Sequence, residues 1–194
     1  MATKYILIGG YPRKAPDGGK ALAEEMVRGF KEPYKILVCY FARPKYQWKL
    51  NMVEDRLFFG HHLKGEKLEF EIAQVGTFRD QIKWADTIYI RGGRTQRLLN
   101  LLRECKDWEK ELEGKTLAGS SAGAHAIVKY FDNLDELRLG EGLGLLRVKV
   151  LVHYRSNYNA PNIDWDKAEI DLRNYKEDLP LYPLAEGEFK VIIQ

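Results

Sequence analysis

The run Thr116 to Ala126, TLAGSSAGAHA, concentrates the residue types best suited to chemistry. Within it, Gly119-Ser120-Ser121-Ala122-Gly123 fits the G-x-S-x-G pattern, in which a sharp strand-to-helix turn lifts a serine oxygen clear of the backbone. Such a turn strains the backbone of the nucleophile, so its neighbours must lack bulky side chains. Only Ser121 has glycine two residues away in both directions, which selects it over Ser120. The helix that follows turns its free N–H groups and its positive end toward the same spot. The N–H of Ala122 is therefore a natural donor to an oxyanion formed when the serine attacks a carbonyl. The competing reading is a tight turn of small residues with no chemistry.

A nucleophilic serine needs a base, usually histidine, and the chain has four histidines. His61 and His62 end an aromatic-rich helix and read as a solvated pair. His125 lies four residues past Ser121 on the elbow helix, poorly placed to reach the serine oxygen, and reads as packing or support. His153 ends the apolar strand VKVLVHY, which follows the elbow in sequence. The C-terminal ends of parallel strands open on a common crevice where ligands gather, so His153 is the expected base. A second glycine pair, in Ile90-Arg91-Gly92-Gly93-Arg94-Thr95, ends the strand before the elbow. The N–H of Gly92 or Gly93 could supply the second oxyanion donor. Neither G-x-G-x-x-G nor G-x-x-x-x-G-K-[ST] is satisfied there, so nucleotide binding is set aside.

These residues need strands to carry them, and the apolar pattern supplies strands alternating with helices. Strands are expected at Tyr5 to Ile8, Lys35 to Ala42, Leu68 to Val75, Thr87 to Ile90, Lys115 to Gly119 and Arg147 to His153. A final pair is expected within Leu184 to Ile193, turning at Glu186-Gly187. Helices are expected at Lys20 to Phe30, Tyr46 to His62, Thr77 to Trp84, Thr95 to Leu112, Ala122 to Tyr130 and Trp165 to Tyr175. The segment FDNLDELRLGEG reads as a solvated connection, and Arg155 to Asp164 as a polar surface loop. Continuous apolar strands such as ILVCYFA mark burial on both faces of a parallel sheet. The expected fold is an α/β three-layer sandwich, formed as one domain over residues 1–194.

Composition narrows the function classes. The chain has 194 residues, 45% hydrophobic and 30% charged, as ordinary globular proteins do. No apolar run approaches the roughly 20 residues that cross a bilayer, and no membrane partner is expected. The net charge of +3 is spread too evenly to indicate nucleic acid. Cys39 and Cys105 read as buried reduced thiols, too few for a four-cysteine zinc site. The N-terminal apolar run is too short for a signal-peptide core, so the expected location is cytoplasmic.

The set IRGGRTQRLL, AGSSAGA, GLGLLRVKVLVHY and PLAEGEFKVI, in that order, resembles the dipeptidase E/cyanophycinase family of serine peptidases. The resemblance runs from the first strand to the last. It implies a flavodoxin-like sheet related to that of class I glutamine amidotransferases, and a Ser-His-Glu triad. By that resemblance Ser121 is the nucleophile, His153 the base and Glu186 the orienting acid, with Gly93 and Ala122 as oxyanion donors. Asp132 and Asp135 are rival acids, each lying between serine and histidine in sequence. The implied reaction is hydrolysis of small peptides through an acyl-enzyme, with no metal or organic cofactor. A preference for aspartyl dipeptides is also implied, and Arg91, Arg94 and Arg155 are the expected carboxylate-binding residues. A homodimer is left open. Two rivals stand beside this reading: an amidotransferase-type glutaminase, disfavoured because that elbow carries cysteine, and a degenerate member that only binds a ligand or partner in the crevice.

Overall fold

The computed structural model describes residues 2–134, 136–157 and 163–194. Its main sheet has six strands in the order β10-β1-β5-β4-β2-β3. These are β1 (Lys4–Ile8), β2 (Tyr34–Cys39), β3 (Leu68–Ile72), β4 (Thr87–Ile90), β5 (Thr116–Ser120) and β10 (Phe189–Ile193). The first five run parallel, and β10 closes one edge antiparallel to β1. Strands β4 and β5 are buried along their whole length, as their unbroken apolar and small residues require.

Parallel neighbours need crossovers, and here α1 (Lys20–Val27), α2 (Trp48–His62), α3 (Phe78–Trp84) and α4 (Thr95–Glu104) supply them. Right-handed crossovers from β1 to β2 and β2 to β3 put α1 and α2 on one face of the sheet. The reversed direction from β3 to β4 and β4 to β5 puts α3 and α4 on the other. The packing agrees, with α1 against α2, and α4 against the elbow helix α5 (Ala122–Ile127). The result is an α/β sandwich on a mostly parallel sheet. Among the described residues no helix is long and apolar enough to cross a membrane.

A second sheet of four strands, in the order β7-β6-β8-β9, departs from the sequence reading. The expected helix Ala122 to Tyr130 ends at Ile127, and the chain continues at once into β6 (Val128–Asn133). Val128, Tyr130 and Phe131 are β-branched or aromatic and buried, which suits a strand better than a helix. The segment expected as a solvated loop thus begins as buried β6 and continues as β7 (Arg138–Glu141), paired antiparallel. Strand β8 (Leu146–Leu151) pairs parallel with both β6 and β9 (Leu181–Pro183). The expected final strand pair is therefore no hairpin: β9 belongs to the small sheet and β10 to the large one. The Glu186-Gly187 turn carries the chain between them, with Gly187 at φ 84°.

One helix differs from expectation and another agrees with it. The long one stops at Glu104, because Asp107 adopts φ 56° and folds Trp108 back against Phe78, with ring centroids 5.3 Å apart. Helix α6 (Trp165–Asn174) begins on Asp164, whose side chain accepts from the Lys167 N–H at 3.0 Å. Part of the Arg155 to Asp164 loop lies outside the described residues.

Candidate active site

Strand β5 delivers Ser121 to the C-terminal end of the parallel strands in a strained conformation, φ 53° and ψ −112°. A non-glycine residue at positive φ is uncommon and marks a backbone held by its surroundings. The flanking glycines explain how it is held. A side chain at Gly119 would bring its Cβ to 2.4 Å from the Gly123 carbonyl carbon, and one at Gly123 to 2.3 Å from the Ile90 oxygen. Helix α5 therefore packs directly on the strand ends. The Ser121 N–H donates to the Ile8 carbonyl at 3.0 Å, anchoring the turn to β1.

His153 arrives from the other sheet, just beyond β8. Its N–H donates to the Gly9 carbonyl at 2.8 Å, so the small sheet's strand end is fastened to the loop after β1. Gly10, at φ 120°, lies beneath the imidazole; a Cβ there would sit 2.2 Å from His153 Cε1. His153 Nε2 lies 2.9 Å from Ser121 Oγ, and Nδ1 lies 3.1 Å from Glu186 Oε1. The Gly187 N–H donates to the Gly10 carbonyl at 2.8 Å and holds the acid's turn in place. The other carboxylate oxygen of Glu186 pairs with Lys14. Burial pushes the Glu186 carboxyl up, but Lys14 and His153 together outweigh it and hold it below its ordinary value. The Tyr11 ring packs edge-on against His153 at 5.7 Å.

The serine, the histidine and the acid named from the sequence thus meet in one hydrogen-bonded line. The N–H groups of Gly93 and Ala122 stand on the two backbone arms beside Ser121. Ala122 opens α5, where a helix has no internal acceptor for its N–H. Gly93, at φ 153°, passes so close to Ala42 that a Cβ would lie 2.5 Å from its oxygen. Of the two rival acids, the one described does not join the line. Asp132 is buried on β6 and borders a separate hollow with Lys167 and Asp171, its carboxyl pushed up to about 6 by burial and then by Asp171. Asp135 lies outside the described residues.

A crevice of about 360 Å³ opens in front of Ser121 and His153, at the C-terminal ends of β1, β2, β4 and β5. Of the three expected arginines, only Arg91 borders it. Its guanidinium pairs with Glu54 at 3.1 Å and with Asp55 at 3.3 Å. Asp55 also accepts from the Tyr40 hydroxyl at 2.7 Å, and burial pushes its carboxyl up to about 6 against the pull of Arg91. Arg94 immediately precedes α4 and lines a different hollow beside Gln96 and Asn100. Arg155 is exposed and pairs with Asp166 at 3.0 Å. The crevice instead holds Arg13 and Lys14 from the loop after β1 and Arg43 from the loop after β2. Sequence reasoning missed these three. The strand-end rule that selected His153 applies equally to the residues following Gly9-Gly10 and Phe41-Ala42.

The family model described as peptidase family S51 matches residues 42–194, a span that includes Ser121, His153 and Glu186. The chain belongs to that family. It is accordingly a serine-type peptidase, as the motif resemblance to the dipeptidase E family implies. Among solved structures, the chain is similar to a peptidase from an acI-B1 Actinobacterium, with 22% identity and a TM-score of 0.65 over 99% of this chain and 84% of that one. It is also similar to a candidate peptidase E protein from Listeria monocytogenes EGD-e, with 17% identity and a TM-score of 0.64 over 100% of this chain and 98% of that one. At these identities the S51 chain and its structural relatives share the fold. No curated protein matches the chain.

Proposed function

We propose that this S51 chain hydrolyses small peptides through an acyl-enzyme formed on Ser121. The observation that carries the reading is the unbroken Ser121–His153–Glu186 line at the mouth of the crevice. His153 Nε2 accepts the Ser121 proton as Oγ attacks the carbonyl, and the oxyanion settles between the N–H groups of Gly93 and Ala122. The proton on Nε2 then passes to the leaving amine, whose departure completes the acyl-enzyme. Water then attacks the acyl carbon as it gives its proton to His153; collapse of this second oxyanion breaks the bond to Oγ, releases the product acid and returns the proton from Nε2 to Ser121. Glu186 holds the imidazole in the tautomer that leaves Nε2 free to accept, and stabilises the imidazolium. Each backbone donor is worth about 3 kcal/mol in such a step.

The charge of the crevice supports acidic substrates. Arg13, Lys14, Arg43 and Arg91 border it against two carboxylates, Glu54 and Asp55, so basic groups outnumber acidic ones along the lining. A substrate carboxylate meets guanidinium groups there, which suits aspartyl dipeptides. Incubation with a fluorophosphonate probe, followed by mapping of the labelled peptide, tests the nucleophile. Labelling at Ser121, absent in Ser121→Ala and accompanied by cleavage of Asp-Leu, is the expected result. A folded protein that is neither labelled nor active on any dipeptide of a broad panel would instead favour a ligand-binding member.

A further inference from the structure

His125 is a buried titratable group that this mechanism does not use. Its ring stacks on Phe131 with centroids 4.3 Å apart and planes 9° from parallel. Nδ1 lies 3.0 Å from Thr95 Oγ1, whereas Nε2 is buried with no hydrogen-bond partner. A phenylalanine would stack on Phe131 as well and would bring no unpartnered ring nitrogen into the core. Retaining an imidazole costs desolvation free energy that packing alone does not require. The compensation must come through Nδ1, and the bond it makes spans two particular elements.

Thr95 opens α4 immediately after the Gly92–Gly93 loop, and His125 lies one turn into α5 beyond Ala122. These are the two backbone arms that carry the proposed oxyanion donors. Among the described residues, no other side-chain hydrogen bond joins that loop or α4 to α5. The outer side of the loop is already fastened: the Arg94 N–H donates to the Ala42 carbonyl at 3.0 Å, and Arg43 Nε donates to the Gly92 carbonyl at 2.6 Å. Only the inner side depends on His125. Burial, and then the neighbouring His153, push the His125 imidazole down to about 3, so it stays neutral and puts no charge behind the catalytic histidine.

We propose that the Thr95–His125 hydrogen bond is a tie that sets the spacing of the Gly93 and Ala122 N–H groups, making His125 a positioning residue for the oxyanion hole. This rests on the proposed hydrolytic reading of the same site. A donor pair fixed in advance acts on the transition state rather than on substrate binding, so loosening it lowers kcat and leaves KM in place.

The test separates the hydrogen bond from the ring. His125→Phe keeps the stacked ring and loses the bond, whereas His125→Asn loses the ring and places an amide oxygen or nitrogen where Nδ1 stood. Thr95→Val removes the other partner at nearly constant shape. Removing an oxyanion donor outright costs about 10²–10³ in kcat, and a displaced donor costs less. The expected result is therefore a fall of about tenfold to a hundredfold in kcat for His125→Phe and for Thr95→Val, with KM within about twofold. The double variant should be no slower than either single one, and His125→Asn should recover most of the rate even if its melting temperature drops. An active wild type whose His125→Phe variant keeps full kcat would overturn the tie while leaving the proposed function standing. So would a series in which kcat follows melting temperature and His125→Asn is the slowest member. A wild type with no hydrolysis and no fluorophosphonate labelling would overturn the function and the tie together.

Discussion

Replacing Glu186 by glutamine keeps the shape of the acid and removes its charge, so it isolates what the charge does for His153. The Nδ1 to Oε1 separation is 3.1 Å, and the two side chains are only 4% and 7% exposed, so solvent screens the pair little. At an effective dielectric near 20, opposite unit charges at that distance attract by about 5 kcal/mol, present only once the imidazole has taken the proton. At about 1.4 kcal/mol per decade, the loss is between three and four decades in kcat. Loss of tautomer control acts in the same direction, and the comparable substitution in Ser-His-Asp enzymes costs about 10⁴. Because the Glu186 carboxyl is held below its ordinary value, it is ionised throughout the neutral range, so its charge is available to the imidazolium from about pH 6 to 9. Steady-state cleavage of an aspartyl dipeptide over that range, with melting curves as the control for folding, measures the loss. Lys14→Ala should cost no more than several-fold, since that ammonium is 61% exposed and salt screens its pull on Glu186. A Glu186→Gln enzyme within tenfold of wild type would refute the assignment of the acid. So would an equal loss in Asp132→Asn.

Gly10→Ala should lower kcat by more than a hundredfold with a folded protein, because the new Cβ would overlap the imidazole at 2.2 Å from Cε1; near-normal turnover would mean that the histidine works from another position. Arg13→Ala should raise KM for Asp-Leu more than for Ala-Leu, since Arg13 borders the crevice, while Arg94→Ala and Arg155→Ala should leave both unchanged; the reverse pattern would return specificity to the helix start. Asp55 titrates near 6 in the folded chain and near 4 in an unfolded one, so the fold carries a penalty of about 3 kcal/mol once both forms are ionised. The folded state binds the extra proton between those values, so wild-type stability should fall as pH rises from about 4 to 6. Denaturant melts should show Asp55→Asn losing its share of that dependence, with the remainder left to Asp132, whose carboxyl is also pushed up to about 6; an unchanged slope would refute the Asp55 assignment.

The elbow was legible because its requirements are local. Gly119, Ser121 and Gly123 form a fixed local spacing at the junction of a strand and a helix, readable before the contacts of Gly123 with Ile90 and of Ser121 with Ile8 are known, and the strand before it is a plain apolar run. The same holds for β1, β2 and β4, which are buried on both faces and have one reading each. The second sheet was not legible, because its strands are defined by partners far away in the chain. Val128 to Asn133 follows a helix without a break, and its strand character appears only once β8 lies beside it. Glycine 142 shows the constraint: a Cβ there would come within 2.2 Å of the His125 and Val128 carbonyl oxygens, so the return past the helix end tolerates no side chain. The arginines misled for a related reason. Sequence distance from Gly92-Gly93 suggested nearness to the crevice, but a helix start sends successive side chains in different directions, so Arg91 borders the crevice and Arg94 another hollow.

The small sheet has a consequence for how the proposed triad is assembled. Ser121 belongs to the large sheet, His153 follows a strand of the small one, and Glu186 lies where the chain crosses between them. No single element carries two of the three. Their alignment depends on three short backbone bonds: Ser121 N–H to Ile8, His153 N–H to Gly9 and Gly187 N–H to Gly10, at 3.0, 2.8 and 2.8 Å. All three acceptors are consecutive carbonyls at the end of β1. The loop after β1 is thus the common reference for nucleophile, base and acid, and it also brings Lys14 to Glu186. Gly9 and Gly10 are required there for this convergence. A Cβ on Gly9 would strike the Ala185 oxygen at 2.1 Å, and one on Gly10 the imidazole, so the strand end must be bare for the two sheets to meet over it.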